Sequence, residues 1–407
     1  MAAALRSASE YWVAVGRFAA VVALGFALAG CAAAEMEGAT GDVGSLSGGS
    51  AAAASKPRPV QIFIASTRKG EKGAAAQVAS AAGVHYALAT LTIPPGHRAG
   101  SIEKPMWGAA NARDHIVVAG ERELDADEFR AELASHISGR IGVNRDVLVY
   151  VHGFNVGFDE ALDRAAQIVA DSRFGGVAVM FTWPTKREVF GYVSDKDSAM
   201  ASRDALQTLL QDISATPGVG KVHLLAHSMG GWLAMEALGQ ASIAGNRDLG
   251  GHLGEVMLAS PDIDMDVFAA QMAHIRPAKV TVFATANDRA LSLSSAIAQS
   301  RKRVGAIDPS KPGDRQALEG LGAKVYDLSA VSDGFIDHGA YADAPDVLHA
   351  IGAQLATPRA QDAGTMSIID ARGYADPTTA TAPPAATAPA DPAAPAAAPP
   401  TPAPAPN

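Results

Sequence analysis

The chain has 407 residues, 48% of them hydrophobic, enough for two or three average domains or for one large α/β domain with appendages. Its 33 basic and 42 acidic residues leave a formal charge of −9 with no basic stripe, which argues against a nucleic-acid partner. The single cysteine, Cys31, excludes an internal disulfide and a cysteine-built zinc site.

At the N-terminus, Arg6 and Arg17 precede the apolar run Phe18 to Ala29 and then Gly30-Cys31. The run is shorter than the ~20 apolar residues of a membrane-spanning helix. Residues 1–30 are therefore predicted to be a secretory signal peptide. Leu28-Ala29-Gly30-Cys31 resembles the lipobox of bacterial lipoproteins, in which the cysteine is lipidated and becomes the mature N-terminus. That resemblance implies a chain held in the bacterial envelope by an acylated Cys31. Ala32 stands next where an aspartate would redirect sorting, which implies the outer membrane, facing the periplasm. Residues 31–56 are rich in Gly, Ala and Ser and read as a flexible tether from the lipidated cysteine.

From residue 57 to 358 short β-rich runs alternate with helical patterns. Predicted strands are Val60–Ala65, Tyr86–Ile93, Asp146–Val151, Val177–Thr182, Val222–Ala226, Glu255–Ala259, Val280–Ala284 and Lys324–Leu328. Predicted helices between them include Ala126–Ser138, Asp159–Asp171, Ser198–Ile213 and Gly231–Gln240. Most strands are continuous apolar runs, as expected where helices cover both sheet faces. The alternation predicts an α/β fold with a mainly parallel, doubly wound sheet. Ligands of such sheets bind beyond the carboxyl ends of the strands. Residues 359–407, ending in a Pro/Ala/Thr-rich stretch, are predicted to be a disordered tail.

Val222 to Ala234 reads as strand, sharp turn and helix, and the turn Ala226-His227-Ser228-Met229-Gly230 matches G-x-S-x-G with alanine first. Such an elbow needs small residues because the serine backbone is strained and the next helix packs closely on the strand. Ser228 is thus the predicted nucleophile. Ala330-Val331-Ser332-Asp333-Gly334 fits the same short pattern but leads into no helix.

The run Val147 to Asn155 is a buried strand ending in His152-Gly153. In hydrolases with this elbow the loop at this place gives one backbone N–H to the oxyanion hole. Phe154 is the predicted donor there and Met229 the other. Gly153 and Gly230 allow the close approaches, and His152, upstream of the serine, is read as a supporting residue of the loop. The α/β-hydrolase order is Ser, then Asp or Glu, then His. Among His252, His274, His338 and His349, His338 lies in a Gly/Asp-rich loop after the last strand and is the predicted base. For the acid, Asp288 after Val280–Ala284 is preferred and Asp262 after Glu255–Ala259 is the alternative; Asp262 and Asp264 can instead cap the next helix.

At these residues the sequence resembles an uncharacterised bacterial α/β-hydrolase family, a domain of unknown function in the esterase/lipase superfamily. The resemblance spans about residues 60–355. It rests on Phe63 to Arg68, Ile93 to Pro95, Tyr150 to Asn155, Phe181 to Pro184, Ser202 to Leu206, Ala226 to Gly230 and Asn287 to Leu291. It implies the α/β-hydrolase fold and a serine triad at the matching positions. The expectation is a serine esterase acting on a small or lipid-like acyl ester, without metal or cofactor. A catalytically silent envelope-binding module, or an amide, thioester or peptide hydrolase with the same triad, is the alternative.

Overall fold

The structure is a computed structural model that describes residues 56–68, 83–188, 191–275, 278–286, 288, 290–291, 302–329 and 339–356. The predicted signal peptide, the tether with Cys31, the tail, Ser332 and His338 lie outside the described residues.

Nine strands among the described residues make one sheet: β1 (Arg58–Ser66), β2 (His85–Ile93), β3 (Val117–Leu124), β4 (Val147–Val151), β5 (Val177–Thr182), β6 (Val222–His227), β7 (Leu253–Ala259), β8 (Lys279–Ala284) and β9 (Ala323–Asp327). Their order is β3-β2-β1-β5-β4-β6-β7-β8-β9. The pairs β1–β2 and β2–β3 are antiparallel and all the others parallel. This is an α/β-hydrolase fold, mainly parallel and covered by helices on both faces.

The helices are α1 (Ala126–Ser138), α2 (Phe158–Ser172), α3 (Tyr192–Ala201), α4 (Arg203–Ser214), α5 (Met229–Ile243), α6 (Met265–Ile275), α7 (Pro312–Gly320), α8 (Ala340–Asp343) and α9 (Pro345–Leu355). Alternate residues of each central strand feed two cores. Val147, Val149 and Val151 of β4 pack with α1, α4, α5 and α6, whereas Leu148 and Tyr150 pack with α2, α8 and α9. Burial on both faces is why β4 and β5 are unbroken apolar runs. The first turn of α1 is fixed by a capping box, Asp125 receiving the Glu128 amide while the Glu128 carboxylate receives that of Asp125.

Two elements differ from the sequence expectation. The predicted helix Ser198–Ile213 is two helices, α3 and α4, meeting at Ser202, whose hydroxyl bonds the Ser198 carbonyl and contacts the Thr67 hydroxyl at 2.8 Å. β3 was not among the predicted strands. It is an outer strand whose middle, Val118-Ala119-Gly120, is exposed and is followed by Glu121-Arg122-Glu123, so it carries no long buried apolar run.

The chain passes from β4 outward to β5 and then back across β4 to β6, from which it continues the other way through β7 to β9. The connections after β4 and β6, neighbours in the sheet, therefore diverge. Such a switch point opens a crevice at the strands' carboxyl ends.

Candidate active site

Both segments predicted to bind the reacting group meet at this crevice. Ser228 follows β6 directly, with φ 55° and ψ −121°, and α5 begins at Met229. A positive φ on a residue with a Cβ costs on the order of 1–3 kcal/mol and persists only where the surroundings enforce it. Here three backbone hydrogen bonds do so. The Ser228 amide donates to the Ala259 carbonyl of β7 at 2.9 Å, and the Ser228 carbonyl accepts from the amides of Gly231 (2.9 Å) and Asp262 (3.1 Å). The helix that follows is buried on most of its surface between α4 and α6, which explains its nearly uniform apolar sequence.

Glycine is required on both sides of the crevice. A methyl group at Gly230 would collide with the carbonyl of His152, and one at Gly153 would stand 2.8 Å from His227 Nδ1 and 3.0 Å from Ser228 Cβ. The first position of the elbow, Ala226, is fully buried yet has room for its methyl. That is why alanine replaces glycine there but not at Gly230.

His152 is fully buried and stacked on the Trp183 indole at 5.2 Å. Its Nε2 lies 3.2 Å from the Trp183 amide and 3.1 Å from Arg68 Nη2, both obligate donors, so Nε2 accepts and Nδ1–H donates to the Gly153 carbonyl at 2.9 Å. Burial, and then the Arg68 charge, push its pKa down to about 3. A neutral imidazole with both nitrogens committed to the scaffold is not a general base. Its partners tie the end of β4 to Trp183 and Arg68.

Arg68, seen in the sequence only as the end of the segment Phe63 to Arg68, is the unexpected member of the site. It is 1% exposed. Its Nε donates to Thr182 Oγ1 at 2.7 Å and its Nη2 to the Val156 carbonyl at 2.7 Å. Thr185 Oγ1 donates to the same carbonyl, and Trp183 Nε1 donates to the His152 carbonyl at 3.0 Å. Asp195, also buried, accepts the Lys186 amide at 2.9 Å; burial raises its pKa, opposed by that bond and by the charges of Lys186 and Arg68. Residues 152–156 are thus clamped by a buried cation and its partners rather than by secondary structure. Arg68→Met is expected to lower the unfolding free energy by about 3 kcal/mol, because Asp195 loses a neighbouring charge and three acceptors each lose one donor. A urea midpoint shifted by less than the experimental error would show that the clamp is dispensable.

The two aspartates occupy different surroundings. Asp262 is buried and receives the Tyr192 hydroxyl on Oδ2 at 2.9 Å, while Arg303 Nε lies 3.1 Å from Oδ1. Tyr192 in turn meets the Phe154 ring edge-on at 5.6 Å. The helix-capping role open to Asp262 and Asp264 falls to Asp264, whose Oδ1 accepts the Asp266 amide next to α6. Asp288, 1% exposed, follows β8, and its Oδ1 accepts the Leu291 amide at 2.9 Å. The β7 and β8 loops are stitched together through Gly305, whose amide donates to the Pro261 carbonyl and whose carbonyl accepts the Thr285 amide. His338 belongs to the connection between β9 and α8, outside the described residues.

Among the described residues no three His, Cys, Asp or Glu side chains form a group that could hold a metal ion, and no helix is long and apolar enough to cross a membrane.

A family described as α/β hydrolase of unknown function (DUF900) matches residues 125–359, more than half of the chain. Solved structures with similar chains include a predicted CIB-like hydrolase from Thermoplasma acidophilum, at 16% identity over 51% of this chain and 84% of the other, with a TM-score of 0.30. A lipase-esterase related protein from Clostridium acetobutylicum aligns at 10% identity over 52% and 95%, TM-score 0.31. AbyA5 aligns at 13% identity over 78% and 72%, TM-score 0.35. No curated protein matches the chain.

Proposed function

The chain belongs to the α/β-hydrolase family of unknown function DUF900, and from that premise we propose that it is a serine hydrolase that cleaves carboxylic esters through an acyl-enzyme on Ser228. The observation that carries this reading is the forced backbone of Ser228, at φ 55° between β6 and α5, facing a glycine loop that could not come as close with a side chain. Strain of this kind at a strand-to-helix turn presents a hydroxyl at the mouth of the sheet.

In the proposed reaction His338 takes the Ser228 proton as the hydroxyl oxygen attacks the ester carbonyl carbon. The amides of Phe154 and Met229 receive the developing oxyanion, each contributing about 3–4 kcal/mol to the transition state. His338 returns the proton to the alcohol as it leaves. Water, deprotonated by the same imidazole, then releases the acid and restores Ser228. Asp288 orients the imidazole and stabilises its charged form. Asp288, which follows β8, is preferred as the acid; Asp262 accepts the Tyr192 hydroxyl and pairs in charge with Arg303. No step uses His152, whose low pKa means that a rate-controlling titration near neutral pH belongs to another group.

Labelling with a fluorophosphonate, followed by mapping of the modified peptide, tests the reading. Covalent modification at Ser228 together with hydrolysis of p-nitrophenyl acyl esters is expected. A correctly folded protein that reacts with neither would be a silent hydrolase-like module, and hydrolysis of amides or thioesters in preference to esters would move the substrate class.

We also propose that Cys31 is acylated and holds the enzyme at the outer membrane, on the strength of the lipobox-like segment ending at the chain's one cysteine. Stable anchoring takes more than one acyl chain, each buried CH₂ contributing about 0.8 kcal/mol. Cys31→Ser is expected to abolish incorporation of a fatty-acid analogue and to release the protein from the membrane fraction. Undiminished incorporation would end the lipoprotein reading.

A further inference from the structure

At the opposite end of the sheet from Ser228, beside the first residues of β1 and β5, lies a cavity of about 670 Å³. The charged groups in its wall are Arg58, Arg140 and Arg173, joined by His136; among the described residues no aspartate or glutamate lines it. This is unusual in a chain whose net charge is −9.

The arginines have a structural task. Arg58 Nη2 donates to the Ala170 carbonyl at 3.4 Å, in the last turn of α2. Arg140 Nε donates to the His136 carbonyl at 2.9 Å in the last turn of α1, and its Nη1 bonds the Gly175 carbonyl. Cations are at home at helix C-termini, but each terminus is equivalent to only about half a negative charge. Two helix ends therefore balance about one of three guanidinium charges. The nearest carboxylate to the histidine, Glu132, is 3.9 Å from its Nδ1 and is paired with Arg122 at 3.1 Å. Positive charge is left over, and the rest of the wall combines apolar Val60, Phe63, Val169 and Phe174 with the polar Gln61 and Thr90.

We propose that this cavity is a binding site for a phosphate group carrying an apolar substituent, with Arg58, Arg140 and Arg173 as its receptors. Planar guanidinium forks match phosphate oxygens two at a time, and the apolar part of the wall, Phe63, Val169 and Phe174, suits the attached group. The chemistry is shared by a phospholipid headgroup and by free phosphate. Arg58 is also where the chain coming from Cys31 enters the sheet, 27 residues downstream of that cysteine. The inference does not depend on Ser228 or on acylation.

Calorimetric titration of the full-length protein tests it with three probes: inorganic phosphate, a dihexyl ether analogue of phosphatidylglycerol that contains no ester to hydrolyse, and the corresponding phosphatidylcholine, each short-chain lipid below its micelle concentration. Saturable binding of phosphate or the phosphatidylglycerol analogue is expected, weakening as salt rises. R58Q/R140Q/R173Q is expected to weaken it by at least about tenfold, with fluorophosphonate labelling unchanged and the melting temperature lowered only by the loss of the helix-end bonds. Tighter binding of the phosphatidylglycerol analogue than of phosphate assigns a lipid source, and equal binding assigns the free anion. Binding of neither, equal binding of the zwitterionic lipid, or the same affinity in the triple variant overturns the site. If the triple variant does not fold, R173Q alone, whose side chain caps neither helix in the bonds above, carries the test: an unchanged affinity there overturns it as well.

Discussion

Ser228→Ala is expected to remove essentially all turnover and all fluorophosphonate labelling, with kcat lowered by about 10⁶, the scale of a nucleophile deletion in a serine triad. The fold should remain, because alanine takes the same strained backbone and the three hydrogen bonds that impose it use only main-chain atoms. Ser228→Gly is the informative companion. Glycine adopts a positive φ without penalty, so this variant should be as inactive as the alanine one and yet more stable than the wild type by about 1 kcal/mol or more. Paired melting curves and labelling gels read both effects. Labelling retained in Ser228→Ala but lost in Ser332→Ala would place the nucleophile in the other G-x-S-x-G-like segment, and the elbow reading would fall.

The second large effect separates the two aspartates. If Asp288 orients His338, Asp288→Asn keeps the shape of the side chain but favours the wrong imidazole tautomer, and kcat at neutral pH should fall by about 10⁴ with KM little changed. Asp262→Asn should behave differently. It leaves the Arg303 guanidinium, 3% exposed, without its counter-charge, and one-sided loss of a buried ion pair costs about 3–5 kcal/mol. Its signature is therefore a lowered unfolding midpoint, with kcat per folded molecule near that of the wild type. Rates over a range of pH, normalised to the folded fraction from circular dichroism, distinguish the two outcomes. An Asp262→Asn protein that is stable but inactive, beside an active Asp288→Asn, would move the acid to the end of β7.

The parallel half of the sheet could be read from the chain because each buried strand there is apolar on both faces, and the limits of β4, β5 and β6 agree with the sequence expectation to within a residue or so. The elbow was legible for a different reason: strand, small residues, serine and helix are contiguous. What escaped the sequence is what depends on distant partners. β3 is held by pairing with β2 and shows mostly charged or small residues outward. The break at Ser202 reflects a contact with Thr67, 135 residues away. No periodicity announces that Arg68 is buried under the glycine loop. Nor does anything local connect Asp262 to Tyr192 and Arg303, the partners that the fold brings to it.

The bonds that hold Ser228 in place also say when in folding it can become reactive. Its amide waits for β7, its carbonyl for the segment after β7, and its glycine neighbours for the loop after β4, so sequence separated by more than a hundred residues must converge before the hydroxyl is presented. An isolated β6–α5 hairpin would relax to an ordinary negative φ. Non-local contacts of this kind form late and slowly. Presentation of the Ser228 hydroxyl at the sheet's edge is consequently a property of the finished sheet, and a partly folded chain holds that serine on relaxed backbone.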